Sequence, residues 1–178
     1  MFIRKLFFVC SLFAFSTASH AQIEVDYLKL KEFKTIGFGS FLNFSIPVSE
    51  ANYVTTELGV QYFKDKNYQE VALIPVLAGY RYTLNKSGTG LYVEPNAGYC
   101  FGESTVELND ERGSTGDGYA NVKGPIGGMN IGYLFEFSGR VQFNLALKYE
   151  HTFSQAPTDL FAFRISHAIT FRRRDYSY

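Results

Sequence analysis

Tryptophan is absent from the 178 residues, cysteine occurs twice and proline five times, and 17 Lys and Arg are offset by 17 Asp and Glu. Each shortage excludes something. A chain with no basic excess lacks the electrostatic footprint of a nucleic-acid binder. Two cysteines cannot build a disulfide framework, and Cys10 lies within the N-terminal apolar run, so only Cys100 remains beyond it. Cys100 reads either as a reactive or metal-binding thiol or as a small space-filler in a strand. Beyond the N-terminal segment no apolar run reaches the roughly 20 residues that a membrane helix needs. What the chain has in quantity is aromatic and glycine residues: 18 Phe, 13 Tyr and 16 Gly.

The N-terminus has the form of a secretory signal. Met1-Phe2-Ile3-Arg4-Lys5 is short and basic, Leu6 to Ala18 is apolar, and Ser19-His20-Ala21 carries small residues three and one before an expected cut after Ala21. The alternative is an N-terminal anchor, but the run is too short to cross a hydrocarbon core of about 30 Å as a helix. Without residues 1–21, and so without Arg4 and Lys5, the chain carries 15 basic and 17 acidic residues. Residues 22–178 then suit a single domain.

Residues 141–153 alternate without interruption. Val141, Phe143, Leu145, Leu147, Tyr149, His151 and Phe153 fall on one face, and Gln142, Asn144, Ala146, Lys148, Glu150 and Thr152 on the other. Residues 161–171 repeat the pattern. A period of two is strand geometry, and a tilted strand of about 9–11 residues crosses a bilayer. Further alternating segments stand at 23–30, 34–46, 53–63, 70–84, 91–101 and 119–137, eight in all, the first being the weakest. Pro95 predicts a local irregularity, and Gly127-Gly128 a bulge or a close backbone approach. Connections at 47–52, 85–90 and 138–140 are short, and the longest loop, 104–118, falls at the opposite end. The expected fold is all-β, an eight-stranded antiparallel up-and-down transmembrane β-barrel.

A soluble ligand-binding calyx shares this alternation with its faces reversed. The polar face separates the two. It is made of Gly37, Gly39, Gly59, Gly79, Gly98, Gly132, Asn43, Asn96 and Asn144 with scattered charges. That suits a cramped lumen better than a solvated surface, which is typically about 25–35% charged.

The signal ending Ser19-His20-Ala21, the strand Ile74-Pro75-Val76-Leu77-Ala78-Gly79-Tyr80-Arg81-Tyr82, the following Gly90-Leu91-Tyr92-Val93-Glu94-Pro95 and the closing strand to Phe171 give the chain a resemblance. It resembles the small outer-membrane β-barrels of Gram-negative bacteria, the OmpA-like or OmpW-like porin superfamily. The resemblance implies an outer-membrane location, contact with outer-membrane lipid and insertion by the barrel-assembly machinery. It also implies an aromatic assembly signal at the C-terminus, for which Phe171 and Tyr178 compete. The OmpW-like side of it implies a narrow channel or carrier for small or apolar solutes.

The inward face gathers Glu57, Arg81, Glu94, Glu136, Lys148, Glu150 and Arg164. Charges in a narrow barrel must pair, because an isolated buried charge is costly. The expectation is a cross-lumen charge network that plugs the barrel; a polar conduit is the alternative. His151 and His167 could bind metal or act as a base, but interfacial packing explains them. Ser154, His151 and Asp159 could be drawn as a triad, although nothing in their spacing requires it. Glu107, Asp110, Glu111 and Asp117 in the long loop lack the spacing of a calcium loop. Arg172-Arg173-Arg174 suits a solvated terminus or headgroup contact. The residues call for no cofactor, no metal and no catalytic role; the reading is a structural or surface-interaction barrel.

Overall fold

The computed structural model describes residues 18–85, 88–108, 118–138 and 141–170. Eight strands run β1 (Ala18–Leu30), β2 (Phe33–Pro47), β3 (Asn52–Lys64), β4 (Glu70–Thr83), β5 (Gly90–Ser104), β6 (Gly124–Ser138), β7 (Val141–Thr152) and β8 (Thr158–Thr170). Each pairs antiparallel with its sequence neighbours, and β1 pairs with β8 to close the barrel. Closure satisfies the backbone groups that an open sheet would leave at its edges, as the hydrocarbon core of a membrane requires.

Alternation now becomes two faces. Ile23 and Phe38 are each 69% exposed and Leu147 is 65% exposed, whereas Glu24, Asn43 and Lys148 between them are buried. A calyx has the opposite polarity, so the exposed apolar face excludes it. Water would not support so large an apolar surface on a monomer. Tyr149 and Phe161 meet at a tilt with ring centroids 4.9 Å apart on the same outward face, as do Tyr99 and Phe101.

Strand boundaries shift most from the sequence reading on β5, which runs on to Ser104, and at the starts of β1, β6 and β8. Strand β1 extends back to Ala18, with Ala18 to Ala21 opposite Ser45 to Leu42 on β2 and Thr170 to His167 on β8. The expected cut after Ala21 would leave Gln22 to Leu30, still nine residues and enough for a tilted crossing. Strand β6 begins at Gly124, because Tyr119 instead forms an isolated bridge to Glu107. Strand β8 begins earlier than expected, at Thr158. Phe171, Arg172 to Arg174 and Tyr178 lie outside the described residues.

Proline acts as expected, and the glycine pair acts in one of its two expected ways. The β4–β5 ladder joins Gly79 to Asn96 and Tyr82 to Val93 while skipping the two positions around Pro95. The same happens between β3 and β4 beside Pro75. No bulge occurs at Gly127–Gly128, where both neighbouring ladders run through in register. Gly128 instead permits a close approach: a Cβ there would collide with the Tyr149 carbonyl. The irregularity of β6 falls between Glu136 and Ser138.

Candidate functional site: the filled lumen and its outer mouth

Glu24 on β1 and Arg164 on β8 are direct partners across the closing ladder. Their side chains turn inward, and Arg164 Nε donates to Glu24 Oε2 at 2.9 Å. The rest of the guanidinium reaches across the lumen to β3. There it makes a fork with Glu57, Nη1 to Oε2 at 2.7 Å and Nη2 to Oε1 at 2.8 Å. Planar bidentate geometry is the strong form of a carboxylate contact. Lys148 approaches from β7, on the wall opposite β3. Its Nζ lies 3.0 Å from Glu57, 2.8 Å from Glu150 and 3.5 Å from Glu24. Gln61 donates to Glu24 at 3.0 Å and completes the cluster.

Phe41 is the one large aromatic side chain turned into this cluster, although its strand neighbours Leu42 and Phe44 belong to the apolar pattern. It fits because Gly59, directly opposite on β3, has no side chain: a Cβ there would collide with the Phe41 ring. The ring then lies 4.0 Å below Lys148 Nζ and 4.9 Å from the Arg164 guanidinium carbon. Cations over an aromatic face gain further attraction where water is excluded.

A second group stands nearer the inner end. Arg81 on β4 pairs with Glu94 on β5, and its guanidinium lies 4.6 Å over the Tyr92 ring. Thr55 and Asn130 donate to Glu94 at 3.2 and 3.3 Å. Six of the seven residues expected in the lumen therefore occupy it, in two groups rather than one. Glu136 does not: it is exposed at the inner end of β6, beside the register shift. Strand parity tells which side a residue faces but not its depth, and at the rim an inward residue meets water.

Glu24, Asp26 and Phe41 were not among the residues expected in the charge network. Glu24 and Asp26 belong to the strand with the weakest alternation signal, and Phe41 broke the polar pattern of its face. With Asp26 fully buried beside Glu24, the central group holds four carboxyls against Lys148 and Arg164. Each cation thus serves at least two acids.

Towards the outer end the lumen becomes apolar. Leu28, Leu30, Phe63, Leu73 and Leu160 pack with Val106, Ala120, Val122 and Ala156 from the outer connections. The stalk of the long loop folds over the mouth through Ala120 N to Val106 O at 2.8 Å and Leu108 N to Gly118 O at 3.1 Å. Cys100 belongs to this packing and is completely buried, which favours the space-filling role over a reactive thiol. Beside the stalk, Leu30, Phe33, Val106 and Leu108 floor a cleft of about 500 Å³ rimmed by Lys31, Glu32, Asp65 and Glu107. Asp110, Glu111 and Asp117 lie outside the described residues, as does Arg112.

The histidines sit apart, at opposite ends of the β7–β8 pair, where His151 is opposite Asp159 and His167 opposite Phe143. His151 Nδ1 is 2.8 Å from Asp159, which also accepts from the Tyr149 hydroxyl at 3.0 Å. Ser154 donates to the Ala156 carbonyl at 2.7 Å, so the imagined triad lacks its nucleophile contact.

Compared with known proteins by sequence, the chain matches no family model and no curated relative. Solved structures do match. Neisserial surface protein A superposes with a TM-score of 0.60 at 11% identity, over 86% of this chain and 96% of that one. Ail, the attachment invasion locus protein of Yersinia pestis, superposes with a TM-score of 0.56 at 12% identity, over 86% and 99%. The fold is that of the small outer-membrane barrels. At such identities the likeness concerns the fold, and what distinguishes this barrel is the filling of its lumen.

Proposed function

We propose that the protein is an outer-membrane barrel with a structural or surface-interaction role, exported by the N-terminal signal cut after Ala21. In this reading the barrel-assembly machinery inserts it, and its lumen is plugged. The observation that carries it is the cross-lumen bridge of Arg164 and Lys148 to Glu57, overlain at the outer end by the apolar packing around Leu28 and Val106. An eight-stranded barrel has an interior just wide enough for side chains to fill. A hydrated ion moving through would have to break paired buried charges and then cross an apolar layer, both unfavourable. Ail and Neisserial surface protein A, an attachment and a surface protein of this fold, are consistent with a role at the cell surface. The alternative is a narrow channel or carrier, and the cleft at the outer mouth is the feature that favours it.

Planar-bilayer recording separates the two. The wild-type barrel is expected to show no stable conductance steps, and Arg164→Ala with Lys148→Ala only flickering leakage. Stable, ion-selective steps from the wild type would replace the plugged reading with the channel.

A further inference from the structure

The outward face carries a groove of about 380 Å³ between β6, β7 and β8, lined by Met129, Ile131, Leu147, Tyr149, Phe161 and Phe163. Two positions towards the outer end on β7 and β8, about 7 Å up the strands, the surface turns polar where His151 and Asp159 face each other. Asp159 is held there by His151 and Tyr149, and its neighbour across the next ladder is Lys29. Lys29 in turn stands directly opposite Lys34 on β2. Both lysines are exposed; Lys29 feels the Asp159 carboxylate across the ladder, but neither lysine comes within 4 Å of a carboxylate among the described residues, in contrast to Lys64, which holds Glu70 at 2.7 Å. Like charges placed directly opposite on paired strands repel. An anion between them removes the repulsion.

We infer that this face binds one phosphate-bearing acyl lipid of the surrounding membrane, with a chain in the β6–β8 groove and its phosphate on Lys29 and Lys34. The inference deepens the membrane-barrel reading and rests on it. The groove accepts an apolar chain but cannot by itself choose a headgroup; the facing lysines choose an anionic one. Lys29 lies one strand over from the groove wall at Phe161 and two residues further up, roughly 8 Å away, and Lys34 one strand beyond it, roughly 12 Å away, both within the span of a single lipid.

Native mass spectrometry of the purified barrel, titrated with phosphatidylglycerol or with phosphatidylcholine of the same chains, tests this. Lysines near an anionic lipid surface each contribute roughly fivefold in affinity, so a preference for phosphatidylglycerol of about 25-fold is expected from the two. Lys29→Gln with Lys34→Gln should abolish the preference while leaving phosphatidylcholine adducts in place. Leu147→Trp, which fills the groove, should weaken adducts of both lipids. Equal binding of the two lipids by the wild type, a preference that survives the double glutamine variant, or adducts indifferent to Leu147→Trp would overturn the inference. A boiling-dependent gel shift run on each protein reports barrel formation separately, so failure of the fold and failure of the lipid site give different results.

Discussion

Arg164 shows how much one side chain can hold in a barrel of this size. It is 1% exposed and bonded to Glu24 on a neighbouring strand and Glu57 across the lumen, so its removal leaves two buried carboxylates, and Glu150 beside them, to share the single charge of Lys148. Breaking a buried pair by deleting one partner typically costs about 3–5 kcal/mol, because the remaining charge stays desolvated. Arg164→Ala is expected to lose at least that much in urea unfolding from detergent or vesicles. Glu136→Gln should stay within about 0.5 kcal/mol, since its carboxylate faces water at the rim. Equal losses from both would mean that depth in the lumen does not govern the cost. The sequence placed both residues on the inward face but could not grade them, because depth depends on where the strand meets the rim.

Among the elements, β6 illustrates the division of labour between the two faces. Its outward residues Met129, Ile131 and Tyr133 are 46%, 44% and 46% exposed, while Asn130 between them is 1% exposed and bonded to Glu94. Ile131 stands at the middle of Gly124–Ser138 and so near the centre of the apolar belt. Ile131→Lys is expected to cost about 2–4 kcal/mol in reversible unfolding from lipid vesicles, the range for a cation at the midplane of such a barrel. A loss below about 0.5 kcal/mol would place Ile131 at an interface instead. The alternation that defines β6 was legible in the residues, as it was for β4, β5, β7 and β8. Its start was not, because Tyr119 to Val122 continue the alternation while belonging to the mouth, where Ala120 and Val122 pack into the apolar cap. Strand β1 was the least legible for a related reason: at its N-terminal end, signal-like and strand-like residues overlap.

For the whole molecule, the β1–β8 closure includes Ala18 to Ala21, the residues proposed to end the export signal. The cut after Ala21 would remove the four residues that pair with Ser45 to Leu42 and with Thr170 to His167, and would leave the ladder from Gln22 onward intact. Intact-mass measurement on protein recovered from the outer membrane is expected to place the first residue at Gln22, with the boiling-dependent gel shift preserved. A first residue at or before Ala18 would show instead that the full 13-residue strand is retained. By itself the sequence determined the strand number, the transmembrane character and the side of the sheet on which nearly every charge lies. These follow from local periodicity, which every residue reports through its immediate neighbours. Only the tertiary structure decided which charges meet. The contacts of Arg164 and Lys148 with Glu57 span 107 and 91 residues of chain and exist because closure brings opposite walls within a side chain's reach. Strand register, rather than the residues alone, set Phe41 opposite Gly59 and Lys29 opposite Lys34, and the place where β6 meets the rim left Glu136 in water; closure then brought the two lysines next to β8 and its groove.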